Sequence, residues 1–261
     1  DGLLLQSGAA NAYLWNYETG NLIVGNSNAE RMRISATGSL GIGTSSPSQS
    51  WTGGSAHVVQ IEGGGSQITA LRINESGDTN GDLQLVSGAS NEVGIYNFNN
   101  GAMRFGTNGT EAMRIDAAGI VTKPLQPAFS ASANTQNNMA LNSWQQILFA
   151  NQRFDQNQDY ASNTFVAPVT GKYQLQISVR LDNIDTNTQY YQVRIRTSNR
   201  SYHSICDFDG MSTDPSYWNF NNAILADMDA NDTCVIEFLQ ASGNQQTDIN
   251  DESYFNGYLV C

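Results

Sequence analysis

Apolar and polar residues alternate along this chain in short runs, and the runs stop at Gly, Asn, Ser and Asp. The alternation is clearest at Tyr173, Leu175, Ile177, Val179 and Leu181, which a strand puts on one face. Runs of this kind return every ~8–15 residues through the C-terminal half. They predict strands at 127–132, 144–149, 163–167, 171–181, 189–199, 201–207, 217–227, 232–240 and 252–260. Helical periodicity is absent over any useful length. Short strands joined by polar turns predict an antiparallel sandwich over 124–261. The N-terminal half carries shorter runs, such as Leu22-Ile23-Val24, Met32-Arg33-Ile34 and Met113-Arg114-Ile115. Each is too short and too polar to support a domain by itself.

The N-terminal half also repeats. Glu30-Arg31-Met32-Arg33-Ile34 returns as Glu111-Ala112-Met113-Arg114-Ile115, an offset of 114 − 33 = 81 residues. At that offset Gly20, Gly25 and Gly38 meet Gly101, Gly106 and Gly119, and Leu14-Trp15-Asn16-Tyr17 meets Ile95-Tyr96-Asn97-Phe98. Residues 1–40 and 82–121 are read as two copies of one unit, with the chain starting inside a copy, as a fragment of a longer protein would. A long repeat predicts a stacked, elongated architecture. Strands piled up in a single chain leave long open edges. Identical chains wound around one another close those edges, so an intertwined β shaft is expected over 1–123.

The segment 30–47, ERMRISATGSLGIGTSSP, resembles the repeat of phage tail fibres and of the mosaic trimeric fibres of predatory bacteria. That resemblance implies a homotrimer. The second copy departs after Gly119, where Ile120-Val121-Thr122-Lys123-Pro124 replaces the GIGT tail. Lys123-Pro124-Leu125-Gln126-Pro127 then reads as a stiff connector.

Beyond it, Pro127-Ala128-Phe129-Ser130-Ala131 resembles the opening strand of the complement-1q and tumour-necrosis-factor superfamily of trimeric jelly rolls. Trp144 to Phe149 is similar to its second strand. Phe165-Val166-Ala167-Pro168-Val169-Thr170-Gly171-Lys172-Tyr173 resembles the family's aromatic strand, Pro-x-x-Gly turn and long core strand. Ala230 to Val235 stands at its Gly-Asp turn, with Asn231 in place of Gly, and Phe255 to Val260 at its closing strand. The fold expected is all-β: a trimeric shaft followed by an antiparallel jelly-roll head at 124–261.

Composition narrows the function. Only 14% of the 261 residues are charged, against roughly 25% in ordinary domains. Net charge is −12, with −4 over 1–123 (6 basic, 10 acidic) and −8 over 124–261 (6 basic, 14 acidic). That balance argues against nucleic acid and anionic lipid as partners. No apolar run approaches the ~20 residues of a membrane span. The three cysteines, Cys206, Cys234 and Cys261, lack metal-type spacing. The strand assignment leaves Cys206 free and allows only Cys234 and Cys261 to pair.

Histidine is scarce, with His57 and His203 alone, so no catalytic triad within one chain is proposed. Asp207, Asp209 and Asp214 show no spacing that singles out a glycosidase pair. Calcium is the better metal candidate, at Asp207-Phe208-Asp209-Gly210 or at Asp227, Asp229 and Asp232, yet neither set supplies six to eight oxygens. No cofactor and no metal residue are assigned. Asn108-Gly109-Thr110 and Asn231-Asp232-Thr233 match the glycosylation pattern and are taken as incidental.

Trp144, Phe149, Phe165 and Tyr173 are expected in the core. Tyr202, Tyr217, Trp218, Tyr254 and Phe255 flank polar loops, where an aromatic platform with amide and carboxylate partners suits a sugar. The superfamily resemblance places the end of the closing strand beside the shaft. Counting strands from there puts loops 151–162, 182–188, 208–216 and 242–251 at the tip, and 168–170, the turn near 200 and 228–231 at the base. Long polar loops on a rigid scaffold are favoured binding positions. Asp185, Asn187, Asp209, Asp214, Tyr217, Trp218, Asn244 and Gln245 are the candidate ligand residues, with Tyr217 and Trp218 as platform. The expectation is a non-enzymatic, extracellular fibre adhesin, on a virion tail or a bacterial surface, that binds a glycan or envelope protein. A depolymerase and a purely structural trimerisation cap are the alternatives.

Overall fold

The structure is a computed structural model that describes residues 3–7, 12–47, 50–51, 54–55, 59–62, 69–73, 83–87, 93–97 and 100–261. All regular elements among them are strands. Contacts divide the chain into two units, Asp1–Met103 with Ile115–Ile120, and Arg104–Arg114 with Val121–Cys261.

The jelly roll of the second unit is built from β1 (Ala128–Ser132), β2 (Gln145–Gln146), β3 (Asn151–Asp155), β4 (Tyr160–Ala161), β5 (Thr164–Val166), β6 (Gly171–Asp182), β7 (Tyr190–Thr197), β8 (Ser201–Cys206), β9 (Tyr217–Met228), β10 (Thr233–Ala241), β11 (Asp248–Ile249) and β12 (Tyr254–Leu259). One sheet runs β3-β1-β12-β6-β9, with β11 on β6. The other runs β4-β5-β10-β7-β8, with β2 on β10. Every pairing in both is antiparallel.

The core lies between the two sheets because alternate residues of each long strand face inward. On β6 these are Tyr173, Leu175, Ile177, Val179 and Leu181, all buried, as the alternation predicts. Phe129 is the aromatic centre. It stacks on Tyr160 and Phe165 at 4.9 and 4.8 Å and meets the edge of Phe255 at 4.9 Å. Phe255 is therefore core and not a loop-flanking ring. Gly257 is required by the same packing, since a Cβ there would fall 2.6 Å from the Phe129 ring.

Most predicted strands are present, and two regions differ. The segment 144–149 keeps only Gln145–Gln146 as strand. The segment 151–162, expected as a tip loop, contains β3 and β4. β2 runs antiparallel to β10 and β3 antiparallel to β1, so the chain descends through both without reversing and changes sheet between them. It turns only at 156–159, at the base. There Gln156 Nε2 donates to the carbonyls of Lys123 and Gln126, and Asn157 Nδ2 to that of Leu125. The loop grips the connector.

In the first unit, Leu22–Asn26 pairs with Ala29–Ile34 through a bulge between Val24 and Gly25. Leu40–Ile42 adds to this hairpin and pairs in parallel with Val59–Ile61. The paired strands Met103–Thr107 and Thr110–Ile115, of which Arg104–Arg114 belong to the second unit, share its features. A Cβ on Gly25 would lie 2.7 Å from the Ala29 oxygen, and one on Gly106 2.6 Å from that of Thr110. Arg33 pairs with Glu30, and Arg114 with Glu111. The turns that follow match too: Gly38 donates to Ser35 at 2.9 Å and Gly119 to Asp116 at 3.0 Å, both glycines at positive φ. His57 and the pair Asp1 and Asp82 lie outside the described residues.

Candidate functional site

Loops 182–188, 208–216 and 242–247 gather at the end of the head away from Pro127 and Cys261. They are joined there by 133–142, whose Met139 and Asn142 amides donate to Thr247 and Gln240. A buried polar network ties these loops together. Tyr191 hydroxyl accepts from the Asp185 amide at 2.8 Å and bonds Thr247 Oγ1 at 3.0 Å. Gln240 Nε2 donates to Thr188 Oγ1 and the Gln245 carbonyl, while its Oε1 accepts from the Thr247 amide.

Asp185 is the hub of this network and is 1% exposed. Its Oδ1 accepts from the Asn187 amide and its Oδ2 from the amides of Asn244 and Gln245. Burial pushes its carboxyl up, and the three backbone N–H groups outweigh that, leaving it below the usual carboxylate range. The expectation of Asp185 as a ligand residue is corrected: its lone pairs are spent holding two loops together. Asp214 Oδ1 accepts from both the amide and hydroxyl of Thr186, at 2.9 and 2.6 Å. Asn187, Asp209, Asn244 and Gln245 reach solvent on this end.

The aromatic platform is also corrected. Tyr217 and Trp218 are consecutive on β9, and consecutive strand residues point to opposite faces. Tyr217 lies on the outer side of its sheet, with the Arg180 guanidinium 5.1 Å over its ring. Arg180 is held in turn by Asp182 and Glu252. Trp218 turns to the other side and sets its ring edge-to-face on buried Phe208 at 5.2 Å. The two indole and phenol rings share no surface.

The acidic side chains of both sets are engaged within the head. Asp207 Oδ1 caps the Asp209 amide, Asp227 pairs with Arg200, and Asp232 Oδ2 accepts from Asn199 and the Asp229 amide. Among the described residues no group of three or more His, Cys, Asp and Glu side chains converges. All three cysteines are free thiols. Cys234 sits on the inner face of β10, where burial pushes its thiol up, and Cys261 is exposed after β12 in the opposite sheet.

A second surface escaped the sequence reading. Trp144, expected in the core, is half-buried on the outer face of the β10-β7-β8 side. Arg194 stacks its guanidinium 3.8 Å from the Trp144 ring centre, and His203 meets the ring at 5.8 Å. Arg194 and Arg196 both donate Nε to Glu237 Oε2, at 2.6 and 2.8 Å. Gln192 Nε2 and His203 Nδ1 are 3.0 Å apart. Parity carried the signal: if Ile147 and Phe149 face inward, Trp144 must face outward.

Residues 128–260 match the sequence profile of the C1q domain, a family whose members are commonly trimeric, extracellular binding modules and typically not enzymes. No curated protein matches the sequence. Among solved structures, the globular domain of the zebrafish complement 1qA protein is 18% identical, with a TM-score of 0.40, over 52% of this chain and 98% of that one. Murine APRIL is 9% identical, with a TM-score of 0.38, over 52% of this chain and 99% of its own. With its two six-stranded antiparallel sheets and the profile match across half its length, the chain belongs to the C1q domain family.

Proposed function

We propose that this chain is the distal part of a homotrimeric fibre adhesin. Residues 1–123 form a shaft of repeated β hairpins, and 124–261 form the head that meets a cell-surface glycan or envelope protein. The fibre stands outside the cell, on a virion tail or a bacterial surface, and no cofactor is assigned to it.

The observation that carries this reading is the outer face of the β3-β1-β12-β6-β9 sheet. Between Lys172 and Arg180, β6 presents Gln174, Gln176 and Ser178 outward, and β9 answers with Leu225, Ala223 and Asn221. Leu225 and Tyr258 are 57% and 52% exposed. Asn256 Oδ1, on the same face, is buried yet has no hydrogen-bond partner among the described residues. β9 also leaves a 12-residue edge open. An uncharged face with an open edge suits burial against a second copy. Three weak sites held on one rigid head gain avidity without new contacts.

Light scattering of the folded chain should give three times 28.4 kDa. A monomer at micromolar concentration would sink the reading. Attachment is tested by retention of the trimer on target cells and on a glycan array, with Asn187→Ala and Gln245→Ala together expected to reduce it. The internal use of Asp185 and Asp214 favours one second reading, a head that only registers the shaft, which a folded trimer retained by neither would support. Polysaccharide shortened by the pure protein would instead support a depolymerase.

A further inference from the structure

The head carries 6 basic and 14 acidic residues, yet the outer face around Trp144 reverses that balance. Arg194 and Arg196 lie two apart on β7, on one face. Across β8, Arg194 is in register with His203 and Arg196 with Ser201. The one carboxylate among them, Glu237 on β10, gives a single oxygen to both Nε atoms. Among the described residues the Nη groups of both guanidiniums have no hydrogen-bond partner, and neither has Trp144 Nε1. This face offers unused donors around an aromatic ring held by a guanidinium.

We infer that this face is a second binding surface, and that it takes a carboxylate-bearing glycan. The inference rests on the adhesin reading above and adds to it a location and a class of sugar. Three features carry it. Two guanidiniums facing one carboxylate leave a net positive charge, so the complement is an anion. The unused groups are donors, so the complement is rich in acceptors. An indole beside charged forks offers the apolar face of a pyranose a place to lie while its carboxylate meets Arg. Size agrees as well. Three neighbouring strands span roughly 10 Å and two residues along a strand roughly 7 Å, which is room for one or two sugar rings. A long nucleic acid or a lipid surface would bring its charge against the acidic rest of the head, and a short acidic sugar chain would not.

The test is calorimetric titration of the full-length protein with a galacturonate hexamer and with its methyl-esterified form, at 0.15 M salt. The acid form should bind, and esterification should weaken it at least tenfold. Arg194→Gln with Arg196→Gln should cause a similar loss, and Trp144→Ala a loss of about tenfold. Glu237→Gln, which removes the competing carboxylate, should tighten binding several-fold, a gain that misfolding cannot imitate. Arg153→Gln makes one of the same charge changes at an exposed site elsewhere on the head and should leave binding unchanged. Equal binding of the two hexamers, no binding of the acid form, or indifference to the double Arg change overturns the inference. Vesicles rich in phosphatidylserine that bind as tightly through the same arginines overturn the assignment to sugar. If the hexamer fails while the trimer still holds a neutral glycan, this face falls and the adhesin reading stands. If the folded trimer holds no glycan of either charge, both fall.

Discussion

Trp15 and Phe129 sit on strands of similar length in the two units, and the first is 51% exposed while the second is 1% exposed. The contrast is general. Every buried core hydrophobic among the described residues lies between Phe129 and Phe255. In the first unit Leu14, Tyr17, Ile23, Val24, Ile95 and Tyr96 all face outward. Both units use alternating strands, so strand formation is not what separates them. The head folds two six-stranded sheets over each other and hides their facing sides. The described strands of the first unit form sheets of two to four strands, and many of their large apolar side chains are exposed. A half-apolar strand without a covering layer gains little from burial, and a few strands are marginal without one.

The largest expected effect follows from that difference. Residues 124–261 expressed alone should melt cooperatively with a native near-ultraviolet dichroism spectrum, and residues 1–123 alone should not. A cooperative melt of the N-terminal fragment as a monomer would break the comparison. The next effect sharpens it residue by residue. Phe129→Ala removes a ring packed among Tyr160, Phe165 and Phe255 and should cost about 3–5 kcal/mol in denaturant unfolding. Trp15→Ala should change the stability of a dissociated chain by no more than about 0.5 kcal/mol. In the assembled protein it should cost as much as a buried aromatic residue. If Trp15 remains inconsequential there, neighbouring chains do not cover the first unit.

A smaller effect belongs to the tip. Asp185→Asn keeps the shape of the side chain but removes the charge that three amides share, and should cost about 1–3 kcal/mol. The pH dependence has a definite sign. The folded carboxyl is held below its unfolded value of about 3.9. Its contribution is therefore complete above that value and is lost as pH falls through the folded one. Unfolding followed between pH 5 and 2 should show a steeper loss for the parent than for Asp185→Asn. Parallel curves would mean that the carboxylate does not hold the loops.

Much of the head was legible because β6 is long and alternates strictly. Five inward positions over its twelve residues fix the face, because a slip of one residue would turn all five to the solvent side. Strand direction was legible only where a turn truly reverses the chain. Between β2 and β3 the chain changes sheet without reversing, and no turn residue marks that step, so 151–162 was assigned to the wrong end. Asp185 and the Tyr217–Trp218 pair were misread for a different reason. Type and loop position showed that Asp185 was special, but not that its oxygens point inward at amides. Tyr217 and Trp218 looked like a platform as neighbours in sequence, although a strand parts them. Trp144 was readable from parity with Ile147 and Phe149, and its aromatic character masked that signal.

The smallest expected effect compares the two hairpins of the first half directly. Both turn through two residues at positive φ, Ser27 and Asn28 at 49° and 57°, and Asn108 and Gly109 at 50° and 73°. Two such residues define the mirror-type turn whose twist suits a hairpin, and Asn-Gly is its preferred sequence. Ser27 and Asn28 hold the same backbone with side chains that disfavour it. Replacing them with the turn of the second hairpin, Ser27→Asn with Asn28→Gly, relieves that strain. Gly gives part of the gain back through the added freedom of the unfolded chain. The net stabilisation should be roughly 0.5 kcal/mol, read as a small rise in the melting temperature of the assembled protein. The reverse exchange, Asn108→Ser with Gly109→Asn, should lower it by a similar amount. Equal and opposite shifts would mean that the hairpins are interchangeable units of one repeat, and a shift in one hairpin alone would mean that their surroundings, not their turns, set their stability.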